Sequence, residues 1–245
     1  MISVVPKPQA PSIPPWTVRS SVESGLRLGL EYFTAFTIVG LVFTLPAFIL
    51  EMRGVGGFPK IAAEILGNAA AQICILCSTF QALAGRTPNV AETFWQIQRQ
   101  NLVKLMMLSI VQGLLVMLGF VLFAVPGLYL MTIWAVAMPA LVLIEDMKFL
   151  DAFRQSAFLT KGRRWRVFGV VVACILIALI GFGLASLMLR FVPIAIEQME
   201  LRTMVLWPVI AIVAAFLHPV SAVLYVSLRQ EKEGLTVEEI VEPFY

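Results

Sequence analysis

The chain has 245 residues, 60% hydrophobic and 13% charged, with a mean hydropathy of +0.90. Soluble domains are roughly half apolar and a quarter charged, so a water-soluble fold is excluded. A formal charge of +3 is too small to suggest nucleic acid as a partner, and Cys74, Cys77 and Cys174 lie in apolar segments where they form neither a disulfide framework nor a metal-ligand cluster.

Residues 1–16 (MISVVPKPQAPSIPPW) carry five prolines and lack the charged start and apolar run of a signal peptide. They predict a disordered tail ahead of one membrane domain over 17–245. Stretches without Asp, Glu, Lys or Arg run from Tyr32 to Leu50, Ile65 to Gly85, Leu105 to Ile144, Val167 to Leu189 and Thr203 to Leu228. A membrane span needs about 20 residues, so the third stretch is twice too long for one helix. Val125-Pro126-Gly127 divides it, because proline removes a donor and glycine permits a turn. The expectation is an all-α polytopic protein with spans at about 32–50, 65–85, 105–124, 128–144, 167–189 and 203–228, the third and fourth forming a tight hairpin.

With the N-terminus inside, the cytoplasmic side holds Lys7, Arg19, Arg27, Arg86, Arg99, Lys104, Lys148, Arg154, Lys161, Arg163, Arg164, Arg166, Arg229 and Lys232. The other side holds only Arg53, Lys60, Arg190 and Arg202. This bias predicts a multi-pass protein of a bacterial inner membrane with both termini cytoplasmic.

The cytoplasmic segments read as short amphipathic helices. Ser20 with Glu23, Asn89 with Glu92 and Thr236 with Glu239 have the spacing of a capping box. Asp151 to Gln155 matches Glu92 to Gln96 in residue type, and Val90, Phe94 and Ile97, like Leu150, Phe153 and Ala157, form an apolar stripe. The pattern is amphipathic helix, span, span, repeated three times, with a fourth amphipathic helix from Thr236.

From Ala152 to Phe168 (AFRQSAFLTKGRRWRVF) and from Val223 to Ile240 (VLYVSLRQEKEGLTVEEI) the chain resembles two signatures of an uncharacterised bacterial six-helix inner-membrane family. That family is named for the membrane domain fused to some glycerophosphodiester phosphodiesterases. In those fusions the activity belongs to a separate soluble barrel with paired histidines and metal-binding carboxylates. This chain has one histidine, His218, so the resemblance implies the membrane part without the enzyme. Val226 and Ser227 follow Tyr225 where relatives tend to have a second tyrosine and an aspartate.

Two groups of residues are candidate sites. Lys161, Arg163, Arg164 and Arg166 with Trp165 stand where an amphipathic helix meets the fifth span, either as a topology anchor or as a lipid-headgroup or phosphate site. His218, beside Pro219 near the middle of the sixth span, is an intramembrane ionisable group with no carboxylate in any of the uncharged stretches. Asn68 and Gln72, four apart on one helical face, and Gln112 on the third span either serve helix packing or line a polar cavity. No catalytic constellation, metal site or cofactor motif is present in the sequence. The expected function is a non-enzymatic membrane protein that binds phospholipid or a membrane-protein partner in envelope maintenance or complex assembly. The alternative is a transporter or channel for a small or amphiphilic molecule.

Overall fold

The structure, a computed structural model, describes residues 16–89, 93, 102–144, 147–191 and 199–242. No strand occurs among them, and six helical stretches are long and apolar enough to cross a membrane: Phe33–Met52, Phe58–Leu83, Val103–Leu122, Ala124–Leu143, Arg164–Leu189 and Met204–Glu233.

Helix α1 (Val18–Glu31) starts one turn earlier than its sequence suggests. Thr17 is the cap: its hydroxyl accepts from the Ser20 N–H at 3.0 Å, and its own N–H donates to the Ser20 hydroxyl at 2.8 Å. Glu23, the expected partner of Ser20, pairs instead with Arg19 one turn back at 3.5 Å. One face of α1 buries Ser21, Gly25, Leu28 and Gly29, while Arg19, Glu23, Arg27 and Glu31 form an exposed ladder at four-residue spacing.

Helices α2 (Phe33–Met52) and α3 (Phe58–Leu83) form a hairpin whose turn uses Gly54 and Gly57 at positive φ, a region that suits glycine. Helix α3 begins seven residues before the uncharged stretch that predicted it, so Lys60 and Glu64 lie inside it. Helix α4 (Leu102–Leu122) meets α5 (Ala124–Ile133) through one extended residue, Phe123. The expected break at Val125-Pro126-Gly127 therefore moves upstream. Pro126 occupies the first turn of α5, where its missing N–H would have had no acceptor. Gly127 packs against the Phe120 ring, which a Cβ there would meet at 2.5 Å.

The fourth span is discontinuous. Helix α5 stops at Ile133, and after Trp134-Ala135-Val136 the chain resumes as α6 (Ala137–Leu143), which is buried throughout. Unpaired backbone is tolerated at membrane depth only where protein satisfies it. Here Ser156 donates to the Ile133 carbonyl at 2.7 Å and accepts from the Val136 N–H at 3.3 Å, and Gln112 donates to the Trp134 carbonyl at 3.1 Å.

Ser156 belongs to α7 (Phe149–Thr160), which buries Ala152, Ser156, Leu159 and Thr160. The expected stripe of Leu150, Phe153 and Ala157 is not the buried one, and Leu150 is exposed. Small Ala152 and Ser156 lie on the inward face beside Leu159, and Ser156 meets the broken backbone directly. The matching stripe of Val90, Phe94 and Ile97, the capping residue Glu92 and the proline-rich tail over 1–15 lie outside the described residues.

Helix α8 (Arg164–Phe191) and helix α9 (Met199–Glu233) follow, and the four-residue α10 (Val237–Ile240) opens with the capping box expected of Thr236 and Glu239. Helix α9 is the hub, packing on α1, α2, α3, α6, α7, α8 and α10. The core is concentrated at one end, where 73–84, 136–143 and 222–228 are buried almost without interruption. That end carries Lys104, Lys161, Arg163, Arg166 and Arg229 and is called the basic end below.

Candidate functional site

The residues Glu64, Asn68 and Gln72 are spaced at i, i+4 and i+8, so α3 presents them as one polar stripe. Neighbouring helices come close on either side of the stripe because small residues line the contacts, and Asn68 stays exposed. A Cβ on Gly67 would stand 2.4 Å from the Phe43 carbonyl oxygen of α2, and one on Gly40 would stand 3.0 Å from the Ala211 Cβ of α9. Between these helices lies a cavity of about 390 Å³ that also receives Thr44, Ser109 and His218. A second cavity of about 350 Å³ shares Thr44, Glu64, Asn68 and Ile210 with the first and continues past Trp207 to Glu51. Together they form a cleft running from the end opposite the basic one inward to His218.

Some groups in the cleft are fixed by the protein. Thr44 donates to the Gly40 carbonyl at 2.7 Å and accepts from Trp207 Nε1 at 2.8 Å, and Trp207 stacks on Phe48 with ring centroids 4.4 Å apart. Ser109 donates to Gln72 Oε1 at 3.4 Å. At the outer mouth Lys60 Nζ lies 3.1 Å from Glu51 and 3.6 Å from Glu64. Within the cleft, the exposed Asn68 carboxamide and the half-buried His218 imidazole have no protein partner among the described residues. The Ser221 hydroxyl, a candidate partner for the imidazole, donates instead to the His218 backbone carbonyl at 2.8 Å. A polar group left without a protein partner is available to water or to a ligand.

The structure therefore brings His218, Asn68 and Gln72 together and separates Gln112 from them, since Gln112 serves the broken fourth span. Residues that sequence reasoning missed are Glu64, Ser109, Thr44 and Trp207. Extending the Asn68–Gln72 spacing back by one turn reaches Glu64, so that signal was available; the contributions of Thr44, Ser109 and Trp207 depend on packing between distant helices.

The basic stretch divides by partner. Arg163 is engaged by Glu231, its Nε and Nη2 donating at 2.9 and 2.5 Å. Arg166 lies over the Trp16 ring, 5.4 Å from its centroid. Lys232 of α9 donates to the Phe158 and Lys161 carbonyls and so ties α9 to the end of α7. Arg164 donates to the Tyr129 hydroxyl at 2.8 Å, and Trp165 is 86% exposed.

These features define an all-helical multi-pass membrane protein with a polar cleft among its spans. Comparison with protein-family models, with curated proteins and with solved structures finds no match.

Proposed function

We propose that the chain is a non-enzymatic protein of a bacterial inner membrane, both termini cytoplasmic, that binds the polar end of an amphiphilic molecule in the cleft between α2, α3 and α9. One observation carries this reading: Asn68 and His218 face a shared cavity with no protein partner, beside the exposed apolar residues Ile65 and Ile210. A hydrogen-bonding headgroup would satisfy the two polar groups while its chain lay along the apolar surface. The cavity falls in the 300–1,000 Å³ range typical of small-molecule sites. The basic stretch favours the same broad role in lipid or envelope biology, in which phospholipids and another membrane protein are the partners.

The test is native mass spectrometry of the protein purified in mild detergent, with identification of what remains bound. Asn68→Leu and Gln72→Leu remove hydrogen-bonding capacity from the stripe without adding charge, and each is expected to lower occupancy about tenfold. A wild-type protein that carries no amphiphile, or one bound equally by both variants, would remove the reading.

Transport is the second reading, favoured by Glu64 and His218 lining one cleft. Glu64, one residue before an uncharged stretch, supplies a carboxylate to the cleft that His218 also lines. Flux measured in proteoliposomes, lost in Glu64→Gln and His218→Ala, would promote this reading over simple binding.

A further inference from the structure

We infer that a second and separate site, at the junction of α5 and α8, holds one anionic phospholipid. Val125, Leu128, Tyr129 and Thr132 project from α5 at i, i+3, i+4 and i+7 and so form a single stripe. Opposite them stand Trp165 and Phe168 of α8, their rings edge to face at 6.0 Å. The slot between the helices has a volume of about 340 Å³. Below the Tyr129 hydroxyl its wall is apolar in effect, since the Thr132 hydroxyl donates to the Leu128 carbonyl of its own helix at 2.7 Å. Such a slot suits an acyl chain.

The rim of the slot selects the charge. Arg164 lies over the Tyr129 ring, 5.4 Å from its centroid, and donates to its hydroxyl oxygen. The contact uses one guanidinium N–H, and Tyr129 keeps its own O–H as a donor. No carboxylate pairs with Arg164 among the described residues, whereas neighbouring Arg163 is held by Glu231. Arg164 is also the first residue of α8, where the helix dipole favours an anion. The guanidinium and the phenol hydroxyl therefore converge on an acceptor such as a phosphodiester, above a slot for its chain. Trp165, largely exposed, marks the headgroup level that tryptophan favours.

This site shares no residue with the cleft, so the inference stands or falls independently of the proposed function. The full-length protein is incubated with phosphatidylglycerol, with phosphatidylcholine of the same chains, and with millimolar inorganic phosphate, and retained lipid is read by native mass spectrometry. Wild type is expected to retain phosphatidylglycerol at least tenfold more than phosphatidylcholine, and inorganic phosphate not to displace it. Arg164→Gln should remove that preference, and Leu128→Trp, which fills the slot without touching a charge, should lower retention of the lipid to a similar degree. Arg166→Gln, an equal charge loss facing Trp16, should leave retention within twofold of wild type. If Arg166→Gln is as damaging as Arg164→Gln, the attraction is diffuse and no site exists. If Leu128→Trp is silent, or inorganic phosphate competes the lipid away, the rim binds a free anion and the lipid assignment is wrong. Should Arg164→Gln fail to fold, Leu128→Trp and the phosphate competition decide the question between them.

Discussion

Replacing Ser156 by alanine tests whether the discontinuity in the fourth span is held by one side chain. Ser156 is fully buried and serves both the Ile133 carbonyl and the Val136 N–H, at 2.7 and 3.3 Å. Alanine orphans both groups where water is scarce. An unsatisfied buried group costs about 1–3 kcal/mol, and the longer bond contributes the smaller share. The better helix propensity of alanine returns about 0.5 kcal/mol, leaving a net loss of about 2–3 kcal/mol. For a chain of this size 1 kcal/mol moves the midpoint of thermal unfolding by roughly 2–4 °C, so the expected fall is roughly 4–12 °C. Cys74 and Cys77 are buried in α3 and give a direct readout, since a fluorogenic maleimide reaches them only as the core opens. Thr160→Val is the matched control: Thr160 is equally buried, but its hydroxyl donates only to carbonyls of its own helix, so its loss orphans no backbone group elsewhere. A Ser156→Ala midpoint within 1 °C of wild type, or equal to that of Thr160→Val, would show that the break is supported by something else.

Gly25→Ala places a Cβ 2.5 Å from the Val220 Cα, a backbone atom that cannot swing aside, so α1 and α9 must separate at a cost of about 1–3 kcal/mol. Gly183→Ala meets nothing within 4 Å and should be neutral or slightly stabilising in the same melting assay. The N–H and hydroxyl of Thr236 hold the Glu239 carboxyl below its ordinary range. Its folded value is depressed, so the contribution is complete above the unfolded value of about 4.3 and is lost as pH falls through the folded one. Hydrogen-exchange protection of 236–240 should therefore drop on acidification in wild type and be low at every pH in Glu239→Ala.

The apolar spans were legible because uncharged runs of about 20 residues have few other uses. The start of α3 was not legible, because the rule that ends a span at a charge ignores charges that neutralise one another. Lys60 lies between Glu51 and Glu64 and makes the first two turns of α3 tolerable near the membrane edge. The break before α6 was hidden for a different reason. Nothing at Trp134-Ala135-Val136 signals a turn, and the groups that make it possible are Ser156, twenty residues from Val136, and Gln112, twenty-two residues from Trp134. The buried face of α7 was not legible because large apolar residues do not mark it. The inward positions Ala152 and Ser156 are small, and Leu150 and Phe158 are exposed. Of the cleft, the α3 stripe could be read from spacing alone. The approach of His218 to that stripe depends on how α9 crosses α2 and α3, a pairing that no local pattern encodes.

The position of His218 along the membrane normal follows from the helix that flanks it. Helix α9 has 35 residues and is about 52 Å long, against about 30 Å of hydrocarbon. Part of it must tilt strongly or leave the bilayer, and α1 indicates which end leaves. Gly25 rests on Val220 and Gly29 on Ala215 and Phe216, so α1 runs beside α9 at that level. Its opposite face exposes Arg19, Glu23, Arg27 and Glu31, a ladder too polar to meet acyl chains. The boundary of the hydrocarbon thus falls near Glu31, and the section of α9 beyond Val220 is sheathed by α1, α3, α6 and α7 instead of lipid, which explains why 222–228 are so completely buried. His218 is then expected close to the boundary at the basic end, not at mid-bilayer. Cysteines placed at Arg27 and Val42, both exposed, distinguish the two positions. With a membrane-impermeant maleimide applied to vesicles of both orientations, Arg27→Cys should label as fast as Arg19→Cys, and Val42→Cys on α2 should not label. Equal protection of Arg27→Cys and Val42→Cys would put α1 inside the hydrocarbon and return His218 to the middle of the membrane.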